Sequence, residues 1–595
     1  MPDFTVTFHP QNITVKVPEG TTLLEAAAEA QITINNLCGG DGICGRCRMI
    51  VKKGQVQGEV SGKLTMEEIR RGMVLACTSR VTQDIVAEIP EETWAKEKII
   101  ADEDAKRFKD LRKEINVFRN YTPSPLVSKI YLELPEPSLV SNTADHQRVC
   151  EALKKKVNNA SLQMGLKIIK TLPATLRASG YKITATVGLR REVAEVMSID
   201  PGNSADDNYM VIVDMGTTTI VAHLVKHDSF ETLDAKACFN SQGVYGREVT
   251  GRMMGAEKRG VLEFQRLLVT DINQLIFGLA KEKKIPLKHI NAVICAGNTV
   301  MGHFLLGLPT ENIRRHPFIA ATVAPPPLRA AEVGIEINPR GLLYSLPGIG
   351  SWVGSDLSAG VLATALHHSE ELCLLLDIGT NGEIIVGSKE WLVACSASAG
   401  PALEGASVAC GMRAESGAIE KVFKLNGSIS YSTIGGVPAK GICGSGIIDV
   451  IGMLLKEGLI DRGGKFIAGV NPRIRTVDGI RRYVLADKKS AEVKHDVFIT
   501  ETDIENIITA KAAIFAAMKI LMERLDLSFS DIAHFYIAGA FGNYLDIENA
   551  IALGLIPAMP RERIEFVGNS SIEGAKIAAF YQEAFYEIDE IRDKT

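Results

Sequence analysis

Two stretches of this chain repeat one pattern, and the repeat limits the fold more than anything else in the sequence. From Tyr209 the residues read YMVIVDMGTTTIVAHLV, and from Leu372 they read LCLLLDIGTNGEIIVG. Each is an apolar strand, an Asp-x-Gly-Thr turn and a second apolar strand. Matching elements at Asp214 and Asp377 point to an internal duplication. A Gly-Thr turn between antiparallel strands offers backbone N–H groups and hydroxyls to a phosphate. Gly216 and Gly379 allow the ligand to approach the backbone closely. Asp214 and Asp377 end their strands where a carboxylate can hold the hydration shell of Mg²⁺.

Two glycine-rich turns accompany the pair. FYIAGAFGNYLDI at 535–547 runs an apolar strand into Gly539 and Gly542. AKGICGSGIIDVIGML at 439–454 places Gly444, Ser445 and Gly446 at the start of a helix. Such turns suit contact with adenosine and phosphate. Two phosphate hairpins followed by a C-terminal glycine-rich turn resemble the acetate/sugar kinase, heat-shock chaperone and actin superfamily. The resemblance covers residues 206–595 and implies two duplicated α/β lobes with ATP between them. Thr217, Thr218, Thr380 and Asn381, with the adjacent Gly382, would then hold phosphates. Asp214 and Asp377 would position Mg²⁺ and water, and Glu383 would orient the attacking water or accept backbone N–H bonds. Thr502 and Glu505 make a capping pattern ahead of a helix whose stripe is Ile504, Ile508, Phe515, Met518 and Met522. Lys511 interrupts that stripe and is a candidate to reach the nucleotide.

The front of the chain carries different chemistry. The chain has 11 cysteines, an odd number in a long chain that opens on MPDFTVTFHP without signal-peptide character. Metal-bound thiolates in a reducing cytoplasm are therefore expected rather than a disulfide framework. Cys38, Cys44 and Cys47 are spaced C-x5-C-x2-C, and Cys77 follows. This departs by one residue from the plant-type [2Fe-2S] pattern and resembles its adrenodoxin-type variant over residues 1–90. A zinc site is the alternative, but zinc usually takes cysteines as two close pairs. Short strands and a helix capped by Thr22 and Glu25 surround the motif, as a β-grasp ferredoxin requires.

Residues 91–123 are charged and helix-prone, and are read as a linker. Residues 124–205 are read as a small α/β middle domain in which Cys150 is a buried thiol. Residues 206–595 form the ATPase domain. The order ferredoxin, linker, middle domain, ATPase lobes resembles the reductive activators of corrinoid proteins, as do CAGNTVMGHFLLG at 295–307 and SASAGPALEGASVACGM at 396–412. That resemblance implies one-electron, ATP-dependent reduction of a Co(II) corrinoid protein to Co(I), a low-potential electron donor and a homodimer. Cys395, Cys410 and Cys443 have small apolar neighbours and are read as core thiols, not as ligands of a second cluster. His303 is read as a buried structural histidine. The rival readings are a metabolite kinase and a nucleotide-binding redox sensor, each with a ferredoxin attached. With a net charge of −5 and no long basic run, no nucleic-acid partner is expected. No stretch approaches the roughly 20 apolar residues of a membrane span. If the four cysteines hold [2Fe-2S], Cys44→Ser abolishes the cluster's visible absorbance in anaerobically purified protein, while Cys150→Ser leaves it intact.

Overall fold

The computed structural model describes residues 2–595 except 31, 33, 35–44, 46, 59–62, 65, 91–92, 94–120, 158–160, 228, 247, 406–407, 413, 468, 470, 478, 494 and 540–544. Cys38, Cys44, Gly542 and nearly all of the expected linker helix lie outside the described residues.

At the N-terminus, five strands form one sheet in the order Ile13–Pro18, Asp3–His9, Ile85–Glu88, Arg48–Lys53, Met73–Leu75. The first and last strands in sequence, Asp3–His9 and Ile85–Glu88, pair in parallel at its centre. The helix Leu23–Glu29 covers the sheet. Its capping box is the one legible in the sequence: Glu25 N–H donates to the Thr22 hydroxyl at 3.1 Å, and Thr22 N–H to the Glu25 carboxylate at 2.9 Å. Val6, Phe8, Leu23, Ala26 and Met49 fill the core between them.

A second unit joins Val127–Glu133, Lys182–Arg190, Val193–Pro201 and Ser161–Met164 in that sheet order, with helices Asp145–Lys154 and Leu166–Ala178 alongside. It is fastened to the end of the chain. Ser124 and Leu126 N–H donate to the carbonyls of Phe580 and Ala579, and the Tyr344 hydroxyl bridges to the Leu126 and Leu189 carbonyls at 3.2 and 2.8 Å.

The duplication is explicit in the sheets. One runs Glu231–Phe239, Thr219–Lys226, Tyr209–Met215, Ile290–Gly297, Leu342–Ser345, with Leu328–Arg329 added at its edge. The other runs Leu392–Ala397, Gly382–Gly387, Cys373–Ile378, His534–Ala538, Ile564–Gly568. In each, the first strand after the boundary pairs antiparallel with the second and parallel with the fourth. After the fifth strand each lobe sends out a helix, Ser355–Thr364 in one and Ser570–Phe580 in the other. These two helices pack against each other between the lobes, in a core containing Leu357, Ala359, Ile572 and Ala575. Their backbones come very close. A Cβ on Gly574 would lie 1.9 Å from the Ala359 carbonyl oxygen, and one on Gly360 would lie 2.9 Å from the Ser570 hydroxyl.

The long helix of the second lobe spans Glu501–Arg524. Its capping box is Thr500 with Asp503, not Thr502 with Glu505: Asp503 N–H donates to the Thr500 hydroxyl at 3.1 Å and Thr500 N–H to the Asp503 carboxylate at 2.9 Å. The buried face is correspondingly led by Ile504, Ile507, Ile514, Met518 and Met522, while Ile508 and Phe515 are only half-buried against it.

The crossing of the two inter-lobe helices yields a test of the fold. A Gly574→Val chain must force them apart, at a cost of about 1–3 kcal/mol or more for overpacking, read as a lower urea midpoint. Gly302→Ala, in a helix position with nothing within 4 Å of the added Cβ, leaves the midpoint near that of the parent.

Candidate functional site: an acidic cleft between the lobes and a paired thiol site

The two turns meet at the floor of a cleft of about 250 Å³. The Thr218 and Thr380 hydroxyls are 3.0 Å apart across it. The first turn is braced from below: Asn298 donates to the Thr217 hydroxyl at 3.0 Å, Asn240 to the Gly216 carbonyl at 3.0 Å, and the buried Arg252 guanidinium to the Thr217 carbonyl. In the second, the Thr380 hydroxyl is also 3.0 Å from the Glu404 carboxylate. A Cβ on Gly216 would lie 2.3 Å from the Thr219 carbonyl, so the turn itself demands glycine there. A Cβ on Gly379 would lie no nearer than 3.8 Å to anything outside its neighbours. Gly379 therefore leaves backbone bare toward the cleft, as ligand approach requires.

Gly216, Thr217, Thr218, Gly379, Thr380, Asn381, Gly444, Ser445 and Gly539 all line the cleft with Asp214, Asp377 and Glu383. Two of the glycines singled out in the sequence do not. Gly382 is glycine because a Cβ would strike Ile514 at 2.8 Å, and Gly446 because a Cβ would strike the Ile419 carbonyl at 2.1 Å. Ser445 lines the cleft, and its hydroxyl donates to the Glu420 carbonyl at 2.9 Å. The Lys511 ammonium lies against Gly554 and does not line the cleft.

The inter-lobe helices supply residues that sequence reasoning did not find. Their N-termini point into the cleft, and the second residue of each is Asp356 in one and Ser571 in the other. Asp214 accepts from Asn569 at 2.8 Å and Ser571 at 3.0 Å, both on the opposite lobe's helix. Asp377 instead has the Asp356 carboxyl as its charged neighbour. The available signal was the repetition of the duplication itself: a Gly-Ser-Asp at 354–356 and an Asn-Ser-Ser at 569–571, each after a fifth strand.

Four carboxyls thus share the floor. They line the cleft, and protein encloses them on their other sides. Burial pushes Asp377 up to about 8, with Asp356 and then Asp214 adding repulsion. Burial pushes Asp356 up to about 7, against the pull of the Leu357 N–H, with Asp214 adding to the rise. Burial and the charges of Asp356 and Asp377 push Glu383, directly across the strand pair from Asp377, well above the carboxylate range. Burial raises Asp214 too, opposed by its bonds from Asn569 and Ser571. Among the described residues lining the cleft there is no lysine or arginine. A polyphosphate entering here needs a cation, and an all-oxygen donor set fits a hard divalent ion such as Mg²⁺.

The second site lies in the N-terminal sheet unit. The Cys47 and Cys77 sulfurs are buried and 3.3 Å apart. Two thiolates about 2.3 Å from one metal at tetrahedral angles lie about 3.8 Å apart, so the pair suits one metal atom. The Ala76 N–H donates to the Cys47 carbonyl at 2.7 Å, and Arg48 donates to the Gly45 carbonyl at 2.9 Å while pairing with Glu68. An ion pair of 3.6 Å between Glu29 and Arg259 links this unit to the helix Val249–Arg259, which also carries Arg252.

The remaining candidates have structural roles. His303 is buried with Nδ1 2.7 Å from the Thr299 carbonyl and Nε2 accepting from the Ala321 N–H at 3.0 Å, which fixes a neutral ring. Cys443 donates to the Ile419 carbonyl at 3.3 Å and Cys410 accepts from the Phe498 N–H at 3.5 Å. Among the described residues, Cys395, Cys410 and Cys443 do not converge into a metal-binding group. Cys150 is only half-buried.

Comparison with known proteins accounts for both sites together. Residues 6–82 match the 2Fe-2S iron-sulfur cluster binding domain, 118–206 the RACo linker region, 209–369 the RACo middle region and 371–595 the C-terminal domain of RACo, the ASKHA domain. A solved structure, a reductive activator for corrinoid, iron-sulfur protein, is 38% identical with a TM-score of 0.77, covering 99% of this chain and 95% of that one. The chain belongs to the family of reductive activators of corrinoid proteins. It is also 29% identical to the corrinoid activation enzyme RamQ of Eubacterium limosum, over 95% of this chain and 91% of that protein. A [Co(II) methylated amine-specific corrinoid protein] reductase of Methanosarcina barkeri is 30% identical over 42% of this chain and 46% of its own length. In this family's terms the small sheet unit expected at 124–205 falls within the linker region, and the first ATPase lobe is the middle region. No helix among the described residues is long and apolar enough to cross a membrane.

The raised carboxyls make stability depend on pH. An acid with a raised folded pKa stabilises the fold fully below its unfolded value, near pH 4, and that contribution is lost as pH rises through the folded value. For Asp356 and Asp377 the loss runs up to about 7 and about 8. In metal-free buffer the urea midpoint should fall between about pH 5 and about pH 8, and Asp377→Asn should flatten that fall.

Proposed function

We propose that this activator uses MgATP bound in the inter-lobe cleft to promote transfer of one electron from its N-terminal [2Fe-2S] centre to a Co(II) corrinoid protein, returning it to Co(I). The observation that carries this reading is the pairing, on one chain, of a 2Fe-2S domain with ASKHA lobes, aligned over nearly its whole length with an activator of a corrinoid protein. Cys38, Cys44, Cys47 and Cys77 would hold the cluster, which when bound supplies a one-electron carrier near −400 mV if it behaves as a plant-type centre.

The cleft residues divide the remaining work. The bare backbone at Gly379 and the hydroxyls of Thr217, Thr218 and Thr380 receive phosphate oxygens, and Gly444, Ser445 and Gly539 line the nucleotide's surroundings. Asn569 and Ser571 hold the Asp214 carboxylate facing the cleft, where it would help to hold a magnesium ion. Asp356 and Glu383 hold protons near neutral pH, and Asp377, once deprotonated, is placed to take a proton from an attacking water. Co(I) is a stronger reductant than the cluster, and each 59 mV is a factor of ten for one electron, so a gap of about 200 mV amounts to about 4.6 kcal/mol. Lobe closure on ATP supplies a bias of that order only if ATP binds the two lobe arrangements unequally. A homodimer formed through the ATPase lobes, a low-potential external donor and a cytoplasmic setting complete the proposal.

The test is anaerobic. Reduced protein is mixed with a corrinoid protein poised as Co(II), and the Co(I) band is followed with and without MgATP. Co(I) should accumulate only with MgATP, and Asp377→Ala should slow its formation by about 100-fold or more, the cost of losing a charged group at the reaction centre, without altering the [2Fe-2S] spectrum. Absence of Co(I) with several corrinoid proteins, despite an intact cluster and ATP hydrolysis, would refute the proposal, and turnover of a small hydroxylated or carboxylic acceptor would point to a kinase.

A further inference from the structure

Away from both sites, three side chains from the segments that join the lobes point at one spot. His367 and His368 sit on a short 3-10 turn, Leu366–His368, at the end of the first lobe. Glu587 lies on the C-terminal helix Gln582–Lys594. The Nε2 atoms of His367 and His368 are 3.0 and 3.2 Å from the same Glu587 oxygen, Oε2, and the two rings lie side by side with centroids 4.0 Å apart. The Tyr121 hydroxyl donates to that same oxygen at 2.5 Å. Three groups therefore converge on a single carboxylate atom. Among the described residues this is the one set of three His, Cys, Asp or Glu side chains whose donor atoms all lie within 4.8 Å of one another.

We propose that His367, His368 and Glu587 form a binding site for a borderline divalent transition metal such as Zn²⁺, fastening the C-terminal helix to the junction of the two lobes. Two ligand atoms about 2.1 Å from one metal at tetrahedral angles lie about 3.4 Å apart, close to both nitrogen–oxygen distances here. Two imidazoles and a carboxylate suit Zn²⁺, Co²⁺ or Ni²⁺, whereas Mg²⁺ and Ca²⁺ take oxygen sets. The support around the ligands also fits. The Tyr121 phenol holds the carboxylate in place, as outer partners do for metal-bound carboxylates. His367 is buried and Glu587 half-buried, while the His368 side chain is 46% exposed and gives the ion a route in from solvent. The remaining coordination position is left to water.

The experiment is a Zn²⁺ titration of the full chain, with its [2Fe-2S] centre intact, against a chromophoric chelator. Excess Mg²⁺ is present throughout to occupy the acidic cleft. One zinc per chain should bind, and zinc should raise the melting temperature. His368→Gln and Glu587→Gln should each weaken binding by at least about tenfold and remove the thermal shift, with the cluster spectrum and the zinc-free melting temperature of His368→Gln unchanged. No zinc uptake, or equal uptake by the parent and both variants, would overturn the assignment.

Discussion

The structure depends on one contact, the crossing of Ser355–Thr364 over Ser570–Phe580. Glycine at 574 and the small residues around it let the helix backbones touch. That closeness brings both helix N-termini to the cleft floor, where Asn569 and Ser571 reach across to Asp214 and Asp356 reaches toward Asp377. The phosphate turns are presented by the sheets, but the polar groups that complete the floor arrive through this crossing. A larger residue at the contact would separate the lobes and dismantle the site in the same step.

Much of this was legible because it was periodic or repeated. The Asp-x-Gly-Thr hairpins, the cysteine spacing and the Thr22–Glu25 cap declare themselves by local pattern, and among the described residues singled out in the cleft turns all but the glycines at 382 and 446 line the cleft. Those two glycines were misread for a physical reason. Glycine is selected wherever a Cβ cannot fit, and Ile514 or the Ile419 carbonyl excludes one as firmly as a ligand would. The start of the long second-lobe helix was displaced by two residues because Thr500–Asp503 and Thr502–Glu505 have the same spacing, and only the strand before the helix decides between them. Asn569 and Ser571 were missed because their partner Asp214 is more than three hundred residues away, and Asp356 because its place shows only when the two halves of the duplication are laid over each other.

Arg252 and Arg259 give one helix two roles. The first supports the Thr217 carbonyl of a phosphate turn, and the second reaches Glu29 of the cluster-bearing unit. A half-exposed ion pair of this kind contributes little stability. Its interest is that the brace of a phosphate turn and the contact with the cysteine-bearing unit reside on the same helix, two turns apart.

The duplication has also diverged at its most sensitive point. Where one lobe's helix offers Ser571 to a strand-end aspartate, the other offers a second acid, Asp356. The first aspartate is solvated by neutral donors, and the second must share protons with its neighbour. The cleft is therefore closer to electrically neutral near pH 7 than its count of acids suggests. If a dication enters with the nucleotide, it does so by exchange, displacing protons from Asp377 and Asp356. Its affinity would then rise with pH over the interval in which those two carboxyls lose their protons.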